Sequence, residues 1–424
     1  MRLAHRRVSV GEVSKGLSTR HEIGSAYREL LVLVDGELAL GRKDHLLSLF
    51  AGEEDLVHLD LEGRLHRAWL GGSSFQRGLD GRVRQVSIAR HGTERSLAIQ
   101  LLPDADAGRV LERVGELVHR AAGALRASVD EGIAEPLRRA VEQLGAAARA
   151  AEAERYRAVY QPIPILPPDQ NRALVLQLTS GCSWNRCTFC HLYRDVSFSL
   201  KTPDALRAHV RGVLGLVGRA LPLRRGVFLG QANALVVAQD KLLPLLDVVQ
   251  AELASAGAPA SLASLSAFID AFSKPKSVAE LAELRARGLT GVSLGLESGS
   301  DEVLATLGKP AESAAAVELA ASLHAAGVGL GVIVLVGAGG QRLAERHVEA
   351  TVDVIARMRL GRGDRVYLSP LHLEHGSAFE RSLTLQGALS SGQIREQAGE
   401  LREKLRAAGV SVPIALYDIR RFVY

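Results

Sequence analysis

Beyond residue 170 the sequence falls into a rhythm that few folds can accommodate. A short apolar run is followed by an amphipathic helical stretch, and the pair recurs along the chain. The apolar runs lie at residues 173–178, 226–229, 261–266, 291–295, 329–336 and 365–368. Apolar spacing predicts helices over 203–220, 241–256, 277–288, 301–326 (with a break at Lys309-Pro310) and 343–358. Strands separated by helices cannot pair as hairpins; they pair in parallel through right-handed crossovers. A closed eight-fold barrel takes about 250 residues, and these repeats occupy fewer. The expected fold is therefore α/β, with an open, partial (β/α)6 TIM-type barrel. A helix over 392–408 and a short strand over 411–416 are expected after it.

What precedes the repeats reads differently. Residues 1–104 are expected to form a β-rich accessory domain, with strand, Asp-Gly turn and strand over 30–40 (LLVLVDGELAL) and more strands over 57–70 and 82–102. No phosphate-binding loop, metal-ligand cluster or cobalamin-type Asp-x-His-x-x-Gly occurs there. Residues 105–160 are helical in pattern without a sustained heptad, which predicts two packed helices. Residues 161–170 (QPIPILPPDQ) hold four of the fourteen prolines. Such a segment cannot join a helix and marks the linker to the core, 171–380, which a C-terminal extension, 381–424, follows.

Composition narrows the function classes. With 47% hydrophobic and 23% charged residues the chain is globular. No apolar run reaches the roughly 18 residues of a membrane span, and the start, MRLAHRRVSVGEV, has no apolar signal region. The net charge of +5 suits an acidic protein partner or, more weakly, nucleic acid, but the arginines are scattered along helices and read first as compositional bias. Three cysteines in 424 residues exclude a disulfide scaffold, so a cytoplasmic protein is expected.

All three cysteines fall in one segment directly after the first core strand: Thr179-Ser-Gly-Cys182-Ser-Trp-Asn-Arg-Cys187-Thr-Phe-Cys190-His191. Loops at the carboxyl ends of parallel strands are where such folds place their sites. Cys187 to His191 matches the c-type haem pattern, but haem attachment leaves Cys182 without a role, and the chain has only two methionines to serve as axial ligands. Structural zinc on the three cysteines, with or without His191, is the alternative reading, although no second ligand pair accompanies them. His191 otherwise reads as an ordinary loop histidine. Three thiolates also suit a [4Fe–4S] cluster with one open iron.

Here the sequence resembles the radical S-adenosylmethionine (SAM) superfamily. The resemblance covers about 173–377 and is similar to the Elongator/methylthiotransferase-like branch, as a C-x4-C-x2-C variant with Phe189 in the aromatic place before the last cysteine. It implies that Cys182, Cys187 and Cys190 hold the cluster and that SAM binds its open iron. It implies SAM contacts at Gly230, Gln231 and Asn233 (after the second strand, where the family's acidic residue is missing), at Glu297 and Ser298 (within Gly295-Leu-Glu-Ser-Gly299), at Gly337 (within Val336-Gly-Ala-Gly-Gly340) and at the Leu368 backbone. Residues 374–377 (EHGS) stand where relatives have Pro-x-Gly-Thr. The implied chemistry is reductive cleavage of SAM to a 5′-deoxyadenosyl radical that takes hydrogen from a substrate the sequence does not name. A flavodoxin or ferredoxin is the implied electron donor. With no fourth cysteine, no auxiliary all-cysteine cluster is expected. The run Val336 to Gln341 also loosely matches a dinucleotide fingerprint, but Arg342 stands where close packing needs a small residue. Trp184 is expected to pack over the cysteine loop.

Overall fold

The computed structural model describes residues 29–424 except 35–37, 44, 53, 92–93, 126–129, 273, 311, 374–377 and 386. It forms two compact units. One comprises the described residues up to Pro162 with Leu214–Leu223 and Arg420–Tyr424; the other comprises Ile163–Val213 and Arg224–Ile419.

The first unit is built on an eight-stranded antiparallel meander in sequence order: β1 (Glu29–Val34), β2 (Leu38–Lys43), β3 (Leu46–Ala51), β4 (Asp55–Asp60), β5 (Leu65–Leu70), β6 (Ser73–Arg77), β7 (Val83–His91) and β8 (Glu94–Leu101). The Asp-Gly turn expected between β1 and β2 lies outside the described residues. Instead of two helices over 105–160 there are three: α1 (Asp104–Gly123), α2 (Glu131–Gln143) and α3 (Ala146–Val159). Gly145 divides the last two, because its extended backbone ends one helix register and starts another. Strand residues Leu40, Leu49 and Leu59 share one core with Val114, Leu117 and Leu137 of the helices, so the meander buries a face against α1 and α2. Glu152 of α3 is buried between Arg64 and Arg77, 2.7 Å from the latter.

The second unit holds the repeats. Its strands are β9 (Leu174–Gln177), β12 (Val227–Gly230), β13 (Leu265–Ile269), β14 (Leu289–Glu297), β15 (Gly329–Val336), β16 (Arg365–Pro370) and β17 (Ile414–Leu416). A small ribbon, β10 (Thr179–Ser180) and β11 (Ser199–Leu200), follows β9. The helices are α4 (Pro203–Val217), α5 (Gln239–Ser255), α6 (Val278–Ala286), α7 (Asp301–Thr306), α8 (Ser313–Ala325), α9 (Ala344–Arg357), α10 (Ala378–Leu385) and α11 (Ser391–Ala407). The main sheet is parallel throughout and ordered β9-β12-β13-β14-β15-β16-β17. This is the expected open, partial α/β barrel, with two corrections. There are seven strands rather than six: β17 adds to β16 with Val366 opposite Ile414, so part of the expected C-terminal extension completes the sheet. The third strand lies at Leu265–Ile269, not 261–266, because residues 260–262 after Pro259 turn in a 3-10 helix before the chain can pair with β12. Helix α4 likewise stops at Val217, short of 220, where Gly218 takes a left-handed φ of 55°.

Residues of one parity line the inner face. Phe228 meets Phe268 edge-on, and Gly230 lies over Val175 and Gln177. At the amino-terminal ends of the strands this face carries glycine and serine; at the carboxyl ends it carries the charged groups described next.

Candidate functional site

The cysteine loop leaves β9 and is closed at its base by the β10–β11 ribbon, with Thr179 opposite Leu200 and Ser180 opposite Ser199. Gly181 makes this closure sterically feasible. Its φ is +68°, and a Cβ there would lie 2.5 Å from the Val196 carbonyl oxygen. The loop is then fastened to the segment after α7. The Thr188 amide donates to the Leu307 carbonyl at 2.9 Å, the Thr188 hydroxyl to the Thr306 carbonyl at 3.0 Å, and Trp184 Nε1 to the Gly308 carbonyl at 3.0 Å. Trp184 thus packs the loop, with its ring 5.9 Å from that of Phe272. Asn185, at φ 49°, bonds the Tyr193 carbonyl at 2.8 Å, and its amide donates to Cys182 Sγ at 3.4 Å.

Cys182, Cys187 and Cys190 are free thiols, each partly exposed. Burial pushes the Cys187 thiol up to about 12, against the pull of the Lys309 ammonium; neighbouring Cys190, Glu297 and Cys182 push the same way as burial. Burial also raises Cys190, and Cys182 and Glu297 add to it. Cys187 and Cys190 therefore each lie within reach of a neighbouring thiol's charge. Among the described residues no three His, Cys, Asp or Glu side chains converge as ligands of one metal ion. A cluster makes a different demand, one thiolate for each of three irons, and this all-sulfur donor set fits it. His191 is exposed. Phe189 packs beside Leu307 and Leu335, its ring 6.5 Å from that of Phe379.

The strand ends around the loop bring together some of the expected residues and turn others inward. Glu297 sits at the end of β14 with φ 63°, its carboxylate 3.2 Å from Lys309 Nζ. Lys309 also donates to the Gly295 carbonyl and lies 5.9 Å from the Phe272 ring centre. Ser298 is completely buried, with its hydroxyl 2.8 Å from His347 Nδ1 and accepting from the Ser300 amide at 3.0 Å. It fixes the turn rather than facing a ligand.

The amide oxygens expected to substitute for an acid after β12 are engaged as well. Gln231 Oε1 accepts from the Gly181 amide at 2.6 Å, and Asn233 Oδ1 from the Leu235 amide at 3.1 Å. Asn233 instead presents its Nδ2 to the carboxylate of Asp270. The Gly230 carbonyl accepts from the Leu178 amide at 2.9 Å. The Gly337 amide donates to Gln397 Oε1 at 2.8 Å. The Leu368 carbonyl accepts from the Tyr417 amide at 2.9 Å, because β17 covers that edge. Residues 374–377 lie outside the described residues.

Sequence reasoning missed Asp270, directly after β13, although a carboxylate one residue past a core strand was visible. It also missed Tyr193 and Tyr417, both buried; burial raises both phenols, and the thiolate charges of Cys190 and Cys182 add to it at Tyr193.

No family model matches the chain, and no curated protein matches it. Solved structures resemble it at the level of the chain trace. Coproporphyrinogen III oxidase from Escherichia coli, described as a radical SAM enzyme, is 17% identical at a TM-score of 0.44, over 61% of this chain and 56% of that one. SuiB from Streptococcus suis is 13% identical at 0.41, over 82% and 71%. Methylornithine synthase is 13% identical at 0.37, over 74% and 79%. The chain spans about half the length of the Escherichia coli enzyme. At TM-scores this low the likenesses carry no argument about what this chain does.

Proposed function

We propose that the protein is a radical SAM enzyme that holds one [4Fe–4S] cluster on Cys182, Cys187 and Cys190. The observation that carries this reading is the placement of three free thiols in one loop, closed by its own ribbon, at the carboxyl end of the first strand of a parallel sheet. Bound there, cluster and SAM would supply a 5′-deoxyadenosyl radical for hydrogen abstraction.

The chain's own residues prepare the place. Lys309 offsets the negative charge that gathers as the thiols ionise. SAM carries ammonium and sulfonium charges, and Asp270 and Glu297 put carboxylates at the ends of adjacent strands where those charges are favoured. Asn233 orients Asp270, and Lys309 orients Glu297. Gly337 and Leu368 would line the same end through backbone atoms. A one-electron donor of the flavodoxin or ferredoxin class completes the requirement, and the substrate is a separate molecule.

The zinc-stapled alternative needs ligands gathered on one point, which the described residues do not provide. The test is anaerobic purification. The expected protein is brown, holds about four irons per chain, and releases 5′-deoxyadenosine from SAM after dithionite. Colourless protein with one tightly held zinc overturns the reading.

A further inference from the structure

The sequence scatters its arginines, but the meander of the first unit gathers two of them on one face. Side chains alternate between the two faces of a strand, and residues paired across strands share a face. Leu49, Val57, Ala68 and Phe75 are so paired and belong to the core shared with the helices. The register puts two other rows on the face away from those helices. In one, Arg67 of β5, Gln76 of β6 and Arg84 of β7 stand directly opposite one another. In the other, Leu56 of β4, Trp69 of β5, Ser74 of β6 and Val86 of β7 are aligned in the same way. Two residues of strand separate the rows, about 7 Å.

The first row is cationic and lacks a counter-charge. Arg67 is exposed and has no hydrogen-bond or ion-pair partner among the described residues. Arg84 is half-buried and donates to the Gln76 side-chain oxygen and, at 3.2 Å, to the Arg421 carbonyl, both uncharged acceptors. Burial first, then the charges of Arg67 and Arg421, lowers Arg84, so like charges gather along this row. The second row is apolar and only partly covered: Leu56, Trp69 and Val86 are half-buried, whereas the core row beside them is buried. No acidic residue stands in either row.

We propose that this face binds single-stranded nucleic acid, with Arg67 and Arg84 taking backbone phosphates and Trp69 stacking a base. A nucleotide chain separates its charge from its flat apolar surface by a sugar, and the two rows separate guanidinium from indole in the same sense. Guanidiniums pair well with phosphate oxygens, and stacking on an indole is open to every base. An acidic peptide matches the charge but leaves the indole without a flat partner. All these residues belong to the first unit, so the proposal does not rest on the cluster reading.

The test is fluorescence anisotropy of the full chain with labelled oligothymidylate of about 12 nucleotides. An abasic oligomer of the same length, and polyglutamate, serve as probes of charge alone. Oligothymidylate is expected to bind about tenfold or more tighter than either. One phosphate contact contributes about 0.7 to the slope of log affinity against log salt, so Arg67→Gln is expected to lower the slope by that amount. Trp69→Ala is expected to weaken binding about tenfold and Trp69→Phe to retain most of it. In the unmodified chain, photocross-links from 4-thiothymidine in the oligonucleotide are expected within residues 56–86, a readout that no variant's folding can disturb. Absence of binding overturns the proposal. So does abasic or polyglutamate binding as tight as that of oligothymidylate, binding indifferent to Arg67→Gln or to Trp69→Ala, or cross-links confined to other residues.

Discussion

Lys309 reaches back across the turn after α7 to place its ammonium 3.2 Å from the Glu297 carboxylate, with both side chains largely buried (7% and 13% exposed). The pair joins the end of β14 to the segment on which the cysteine loop is fastened through Thr188 and Trp184. Removing one partner leaves a buried charge uncompensated, at a cost of about 3–5 kcal/mol. Lys309→Met is expected to lose stability on that scale in urea unfolding. Glu297→Gln combined with Lys309→Met is expected to recover most of the loss. In the single variant Cys187 loses the ammonium that pulls its pKa down, so its alkylation at a fixed alkaline pH is expected to slow.

His347 is completely buried, and burial lowers it from 6.5 to about 4. Below pH 6.5 the unfolded chain takes up this proton while the folded chain does not. Stability therefore falls as pH drops from 6.5 to 4 and flattens below, by about 3 kcal/mol in all. The difference in unfolding free energy between the protein and His347→Gln, followed across that window, is expected to carry this slope. A constant difference would refute it.

Gly299 sits where the turn after β14 meets α9. A Cβ there would lie 2.2 Å from the Ala350 carbonyl oxygen, and the Gly299 amide donates to the Thr351 hydroxyl at 2.9 Å. Neither backbone can yield cheaply. Gly299→Ala is expected to cost about 3 kcal/mol, the upper end of ordinary overpacking, with a lowered melting temperature.

The three thiols and the neighbouring histidine separate the cluster reading from its rivals. Cys187→Ala is expected to abolish both the brown colour and SAM cleavage. His191→Ala is expected to retain both, because that ring is exposed. Loss of the metal in the histidine variant would point to a Cys₃His site instead.

Much of the second unit was legible because its pattern is local. The strand runs at 329–336 and 365–368 and the helix break at Lys309-Pro310 depend on side-chain period and proline chemistry, which act within a few residues. The same holds for the cysteine loop, since all its sulfur lies in nine residues after one strand. Less legible was which backbone donors the polar side chains of the turns would meet. Gln231, Asn233 and Ser298 each satisfy a nearby backbone donor, as buried polar groups must.

The sequence by itself determined the alternating parallel architecture and the gathering of three thiols in one loop, because period and spacing are properties of short segments. Only the tertiary structure decided which other groups join them. Glu297, at the end of β14, and Lys309, after α7, come close enough to the loop to act on Cys187, while Asp270 follows the neighbouring strand because parallel strands in register carry their carboxyl ends to one edge. The seventh strand, from a three-residue run, is decided there too. The sequence offers a short strand over 411–416, but its place in the sheet is a tertiary matter: Ile414–Leu416 pairs with β16, whose backbone groups need partners when buried.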